Sequence, residues 1–261
     1  MPKYNISFAG AGRVASAICS KAYMAGHGIL QIVSPGEKNG RQLADSCGAL
    51  WSDKPVFSGE NDLIIVAVPD AKLEAVLSDI SFTGNTVVAH TAGSYGLEVF
   101  PQQINHKGVI YPLQTFTLNR ELDFTRINFF TEASDNYSDN VLKGFAQSLG
   151  SNVLPATAGQ RAMLHIAAVF ACNFTNYMLT AAKEVTARSE IPFEVLEPLI
   201  RETINKGMEI GPENSQTGPA VRKDHVTISK HLEMLSFSPG LRELYRLLSE
   251  SIINHYNKGQ Q

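Results

Sequence analysis

Tyr4-Asn5-Ile6-Ser7-Phe8-Ala9-Gly10-Ala11-Gly12-Arg13-Val14-Ala15 is the stretch that decides how the rest of the chain is read. Residues 4–9 read as a strand, and they run straight into a G-x-G-x-x-A pattern. There Gly10 permits a tight turn, Gly12 lets the backbone approach a pyrophosphate, and Ala15 lets the following helix pack close to the strand. The first N–H groups of that helix have no intrahelical partners and sit at the positive end of its dipole, so Gly10, Ala11, Gly12, Arg13 and Val14 together offer an anion site. The triplet alone is a weak signal. An N-terminal strand before it, a helix after it and a second strand from Leu30 supply the context that strengthens it. The alternative is a glycine-rich turn that binds nothing.

Working outward, β-rich runs recur at residues 30–34, 63–68, 86–90, 109–111 and 128–131, alternating with helical stretches. Several are apolar nearly throughout, as strands covered on both faces must be. After Pro155 such runs stop and helical periodicity takes over at 160–188, 194–208, 224–235 and 240–257, with 211–219 as an interhelical loop. This predicts an α/β, Rossmann-like doubly wound sheet over residues 1–155, followed by an all-α domain over 156–261. Residues 164–174 are apolar almost all round, which predicts a helix buried on every side. A domain of about four helices can hardly enclose it alone, so a homodimer through the helical domain is expected.

Composition limits the partners. The chain has 261 residues, 44% hydrophobic and 18% charged, with a net charge of -3. No basic cluster or run of like charges interrupts it, so neither nucleic acid nor a membrane surface is expected, and small molecules are the default ligands. Cys19, Cys47 and Cys172 lie outside any C-x-x-C pattern and read as reduced core thiols. The N-terminus enters a strand at once, which leaves no room for a secretory signal, and no apolar run reaches membrane-spanning length; a cytoplasmic protein is expected.

The end of the second strand bears on cofactor choice, because an acid there accepts from the ribose 2'-OH of NAD and repels a 2'-phosphate. That strand ends at Ser34, with no acid. Ser34 offers a donor to a phosphate, and Lys38, Arg41 or Arg13 offers positive charge, which favours NADP(H). Glu37 is the opposing observation, and a solvated helix face is the other reading of Lys38 and Arg41. Val66-Ala67-Val68-Pro69-Asp70 ends another strand at the carboxyl edge, where ligands of open α/β sheets bind; Val68 and Pro69 would line the cofactor while Asp70 caps a helix. Thr91, Ala92 and Gly93, after His90, would wall the nicotinamide, or form a simple glycine turn.

These segments together resemble the superfamily of pyrroline-5-carboxylate reductase, the β-hydroxyacid and 6-phosphogluconate dehydrogenases and the deazaflavin-dependent NADP reductases. Residues 165–174, from His165 to Phe174, and Thr217-Gly218-Pro219-Ala220-Val221-Arg222-Lys223-Asp224 narrow the likeness. They resemble the little-characterised NADP oxidoreductases that pair a Rossmann-like domain with a helical domain of unknown function. The resemblance implies that architecture and a dimer, and names no substrate. Two departures stand out. The dehydrogenases carry a catalytic Lys with an Asn one turn later, where this chain has His165 and Val169; and Tyr111-Pro112 replaces the His-Pro of narrower relatives.

At 100° per residue His165, Cys172, Asn173 and Asn176 share one sector of an apolar helix. Buried imidazole and amide groups need partners, so this stripe should face a cleft, a subunit or a substrate. His165 would protonate the heteroatom of a carbonyl or imine, Asn173 would orient the substrate, and Arg222, before a helix cap at Asp224, would clamp an anionic group. Satisfied core groups, or an Arg pinning its own loop, are the other reading. His225 and His231 are wrongly spaced for a shared metal, and none is expected. The chain reads as an NADP(H)-dependent oxidoreductase whose hydride passes between nicotinamide and a small oxo, hydroxy or imino compound in the interdomain cleft. A non-catalytic NADP(H)-binding sensor or scaffold is the alternative.

Overall fold

The computed structural model describes residues 2–117 and 120–256. The chain forms two compact units, Met1–Asn173 and Phe174–Gln261. In the first lie eight strands: β1 (Asn5–Ala9), β2 (Gly28–Val33), β3 (Leu50–Ser52), β4 (Leu63–Val66), β5 (Val87–His90), β6 (Lys107–Leu113), β7 (Asn128–Ala133) and β8 (Asn152–Pro155). They are ordered β3-β2-β1-β4-β5-β6-β7-β8, with every neighbouring pair parallel except β6 and β7. The first six strands thus follow the dinucleotide-binding order 3-2-1-4-5-6, and the chain's direction of travel reverses between β1 and β4. The fold is Rossmann-like, and that reversal opens a crevice at the carboxyl ends of these two strands.

Helices α1 (Arg13–Met24), α2 (Glu37–Cys47), α3 (Leu73–Asp79), α4 (Asn136–Ser148) and α5 (Ala158–Ala168) complete the unit. Alternation along β4 shows why the apolar runs were needed. Leu63 and Ile65 join the core with Ala15, Ile18 and Phe145, whereas Ile64 and Val66 face Leu73 and Leu77 of α3. Asp135 accepts the backbone N–H of Ser138 to start α4, and Thr157 and Gln160 form a capping box at α5. Cys19 and Cys47 are buried with their sulfurs 3.6 Å apart between α1 and α2, whereas Cys172 is exposed and is not the core thiol the sequence suggested.

After α5 come a π-helical turn, Val169–Phe174, and then α6 (Thr175–Thr186), α7 (Glu197–Ile210), α8 (Pro212–Ser215), α9 (His225–Met234) and α10 (Pro239–Tyr256). The expected helices are present, but the π turn interrupts the one read as continuous; the last residue of the helix read over 240–257 lies outside the described residues. Asp224 caps α9 as anticipated, accepting from the Thr227 N–H at 3.0 Å.

Burial departs from expectation. Residues 164–174 were read as enclosed on every side, yet in the single chain Ile166 is 50% and Phe170 65% exposed, and the one buried residue of α5 is Arg161. In the second unit the buried residues among those described are Ala220, Ile228, Leu235, Leu241 and Ser249. Residues Ala158–Thr186 form, among the described residues, one helix long and apolar enough to cross a membrane, with mean hydropathy 1.3. No apolar run of that length was expected from the sequence, and Arg161, His165, Asn173 and Asn176 interrupt this one.

Candidate active site

The turn between β1 and α1 is built around two glycines that serve different ends. Gly10 has φ +117°, and a Cβ there would stand 2.9 Å from the carbonyl carbon of Ala67, with the carbonyl oxygen nearer still. Only glycine lets the end of β1 press against the end of β4 at the crevice. Gly12 caps α1 with ordinary extended backbone, φ -82° and ψ -174°, and a Cβ there would meet nothing within 4 Å. No side chain caps α1 and no acid occupies its first turn; Arg13 beside it is exposed, and Arg120 and Glu121 line the same cavity as Gly12 and Arg13. This is the cradle a pyrophosphate needs, and a Cβ on Gly12 would fill it.

Ser34 follows β2 and is buried, its N–H donating to Ser52 O and its hydroxyl to the carbonyl of Gly36 at 3.1 Å. A 2'-phosphate would have to displace that hydroxyl bond. Lys38 is exposed on α2. Arg41, four residues after Glu37, donates to it at 2.8 Å and lies over the Trp51 ring at 4.4 Å from the centroid. Glu37, the acid that counted for NAD, is therefore tied to a guanidinium.

Next to these ends the carboxyl edge continues through Val68, Pro69 and the turn after β5. Pro69 precedes a 3-10 turn, Asp70–Lys72, and Asp70 is the first residue of that turn and makes no capping bond, contrary to its expected role. His90 is fully buried: its Nδ1 accepts from the Ala92 N–H at 3.2 Å, its other nitrogen is 3.2 Å from the Gly96 carbonyl, and its ring stacks on Phe100. Burial lowers its pKa to about 4, so it is neutral and holds the Thr91–Gly93 turn in shape.

Tyr111 of β6 packs on Gly93, and its hydroxyl is 3.1 Å from Nδ1 of His165 on α5. The structure thus brings His165 to the carboxyl edge. One turn earlier on the same helix, Arg161 is completely buried, donating to the carbonyls of Ala156 at 2.5 Å and Tyr95 at 2.7 Å and pairing with Glu132 of β7 at 2.7 Å. It ties α5 to the loop beyond β5. Sequence reasoning passed over Arg161, although a lone cation in an apolar helix one turn before His165 was a visible sign of a buried partner. Asn173 is exposed within the π turn. Such a turn winds less than 100° per residue, so the uniform-helix arithmetic that aligned Asn173 with His165 does not hold across it. Arg222 is exposed in the second unit. Among the described residues no group of three His, Cys, Asp or Glu side chains could hold a metal ion.

An open Rossmann turn with an uncapped helix, beside a paired phenol and imidazole at the same sheet edge, defines the class: a nicotinamide-dependent oxidoreductase. Residues 5–93 match the family described as NADP oxidoreductase, coenzyme F420-dependent, and residues 127–252 match a domain of unknown function, DUF2520. The structure of the candidate NADP oxidoreductase BF3122 from Bacteroides fragilis is 38% identical, covering 97% of this chain and 98% of its own, with a TM-score of 0.88. The chain belongs to the same family, the NADP oxidoreductases that join these two domains. At lower identity the fold is shared with 1-pyrroline-5-carboxylate reductase from Streptococcus pyogenes, 14% identical over 97% of this chain and 99% of that one, TM-score 0.60. It is shared too with a reductive aminase from Aspergillus terreus solved with NADPH4, cyclohexanone and allyl amine, 13% identical over 97% and 95%, TM-score 0.73. Among curated proteins none matches the sequence.

Proposed function

We propose that this enzyme uses NADP(H) in preference to NAD(H) to interconvert a small oxo or imino compound with its reduced form, His165 holding the proton that accompanies the hydride. The observation that carries the reading is the cradle at Gly12: leading N–H groups of α1 with no side-chain cap and no acid in their turn, and open space where a Cβ on Gly12 would stand. A nicotinamide bound along the carboxyl edge supplies or accepts hydride. The N–H groups of Gly12 to Val14 and the Arg13 side chain bind the pyrophosphate. Lys38 and Arg41, with Ser34 if its bond to Gly36 gives way, take the 2'-phosphate, and the Glu37–Arg41 pair weakens the acid that would otherwise repel it. Val68, Pro69, Thr91, Ala92 and Gly93 wall the reacting ring. In this proposal Asn173 orients the substrate and Arg222 clamps an anionic group of it.

The proposal includes a homodimer. A helical unit whose described residues bury so few side chains lacks the core that offsets chain entropy in a unit of its size, and the exposed Ile204 and Met208, one turn apart on α7, give a second copy apolar surface to cover. Sedimentation at micromolar concentration should give a dimer mass; a monomer refutes this part. For the cofactor, NADPH and NADH fluorescence titrations should give saturable binding with NADPH tighter, and binding of neither at millimolar concentration overturns the function. A sensor that binds without turnover is the competing reading, and NADPH consumption with a pool of carbonyl, imine and hydroxy-acid compounds separates the two.

A further inference from the structure

Tyr111 meets three other pieces of the first unit. Its ring lies so close to Gly93 that a Cβ there would stand 3.0 Å from Cε2 and Cζ and 3.4 Å from the hydroxyl oxygen. From α5, Nδ1 of His165 lies 3.1 Å from that hydroxyl, the two rings crossing at 71°. Burial, and after it the charge of Asp70 beyond β4, raises the phenol above its ordinary range. Tyr111 is 9% exposed, whereas His165 is open to solvent.

We propose that Tyr111 is the catalytic acid that protonates the substrate, and that His165, bonded behind it, returns the proton to Tyr111 from solvent. The inference rests on the oxidoreductase reading above and sharpens it, making the phenol the group that touches substrate and His165 a positioning residue that holds the proton store. The phenol oxygen stands over the Gly93 turn, the wall assigned to the nicotinamide, and the imidazole is bonded to that oxygen. Burial and Asp70 both disfavour a phenolate, so the proton stays on the oxygen until a stronger base draws it away, and the phenolate then formed needs rapid reprotonation. Imidazole, whose ordinary titration falls near neutrality, is suited to supply that proton.

The step balances. When the substrate carbon has received its hydride, the π pair of the C=O or C=N bond moves to the heteroatom, which takes the proton of the Tyr111 hydroxyl. The O–H electron pair remains on the phenol oxygen, which accepts the Nδ1 proton of the imidazolium. The neutral ring recovers a proton from water, so the substrate gains one hydride and one proton and solvent loses one proton.

A hydroxyl that merely braces α5 against β6 would give the same static contact, and variants separate the roles. Tyr111→Phe keeps the ring against Gly93 and removes the proton; His165→Gln keeps a hydrogen-bonding group that cannot titrate in this range. The other titratable groups on the surrounding elements include Asp70, His90, which burial keeps neutral, Glu98 near it, and Arg161, which Glu132 pairs. With NADPH and either 1-pyrroline-5-carboxylate or cyclohexanone plus allyl amine, Tyr111→Phe should lower kcat by about 100-fold or more while the NADPH dissociation constant stays within about twofold. The fall in wild-type reductive rate as pH rises through the imidazole range should disappear in His165→Gln. In the protein without cofactor, the ring nitrogen chemical shifts of His165, read at one fixed pH, should differ between wild type and Tyr111→Phe, because the phenol is the partner of Nδ1. Unchanged shifts, or wild-type kcat in Tyr111→Phe, overturn the proposal. Failure of wild type to bind NADPH overturns the function instead, and the NMR comparison still decides whether phenol and imidazole are bonded.

Discussion

Replacing Gly12 and Gly10 separately by alanine divides the fold from the cofactor site within three residues. At Gly12 the backbone is ordinary for any L residue and the new methyl meets no protein atom within 4 Å. Gly12→Ala should therefore change stability by no more than about 1 kcal/mol, since alanine restricts the unfolded chain but is a poorer helix N-cap than glycine, and the two effects oppose. The methyl does occupy the space a pyrophosphate must enter. Losing one charge-assisted hydrogen bond from the α1 amides costs about 1.5–3 kcal/mol, so NADPH should bind roughly 10- to 150-fold more weakly. At Gly10 the situation inverts. A φ of +117° together with the approach to Ala67 costs alanine both backbone strain and overpacking. The sum is about 2–6 kcal/mol, large enough to lower the melting temperature of the first unit by several degrees or more. Urea melts and NADPH fluorescence titrations on the two variants and wild type read both effects. A Gly12→Ala protein that binds NADPH as wild type does would refute the placement of the phosphates at α1, and an undestabilised Gly10→Ala would refute the wedge between β1 and β4.

Arg41→Ala and Lys38→Ala should each weaken NADPH binding by about 10-fold or more and leave NADH binding nearly unchanged, because only the 2'-phosphate meets them; equal losses for both nucleotides would contradict NADP selectivity at this end. Arg161→Met should cost about 3–5 kcal/mol in urea unfolding, since it strands Glu132 and two carbonyls, and the double variant with Glu132→Gln should recover part of it; no recovery would mean the pair is not the source of the loss. His90 is held at a pKa of about 4, below its unfolded value, so the folded state binds fewer protons between the two. Its contribution is full above about pH 6.5 and lost progressively as pH falls to about 4, amounting to about 3 kcal/mol. Urea midpoints at pH 7 and pH 4 should show a smaller acid loss in His90→Asn than in wild type, and identical losses would remove His90 as the cause.

Much of the first unit was legible along the chain. The six strands foreseen there are those whose runs fill the middle of the sheet, because a strand buried on both faces must be apolar throughout. β3 and β8 escaped: Leu50-Trp51-Ser52 is three residues long at one edge, and Asn152 to Pro155 is largely exposed at the other, so neither carries a burial pattern. Gly10 and Gly12 could be assigned their parts from spacing alone, because backbone conformation at a tight turn is a local property. The class of the protein and its nucleotide turn were thus determined by sequence.

Tertiary structure decided what surrounds that turn. Whether Ser34 is free, whether Glu37 stands alone, and whether Asp70 caps a helix depend on partners that no periodicity reports, and each proved different from its local appearance. The pairing of Tyr111 with His165 joins residues 54 apart in the chain, and the ties of Arg161 reach Tyr95 and Glu132 on two other segments. A hydrogen bond is short-ranged and directional, so its partner exists only once strands and helices have been set side by side. The fingerprint could be read in order along the chain; the contact of Tyr111 with His165 could be read only across it.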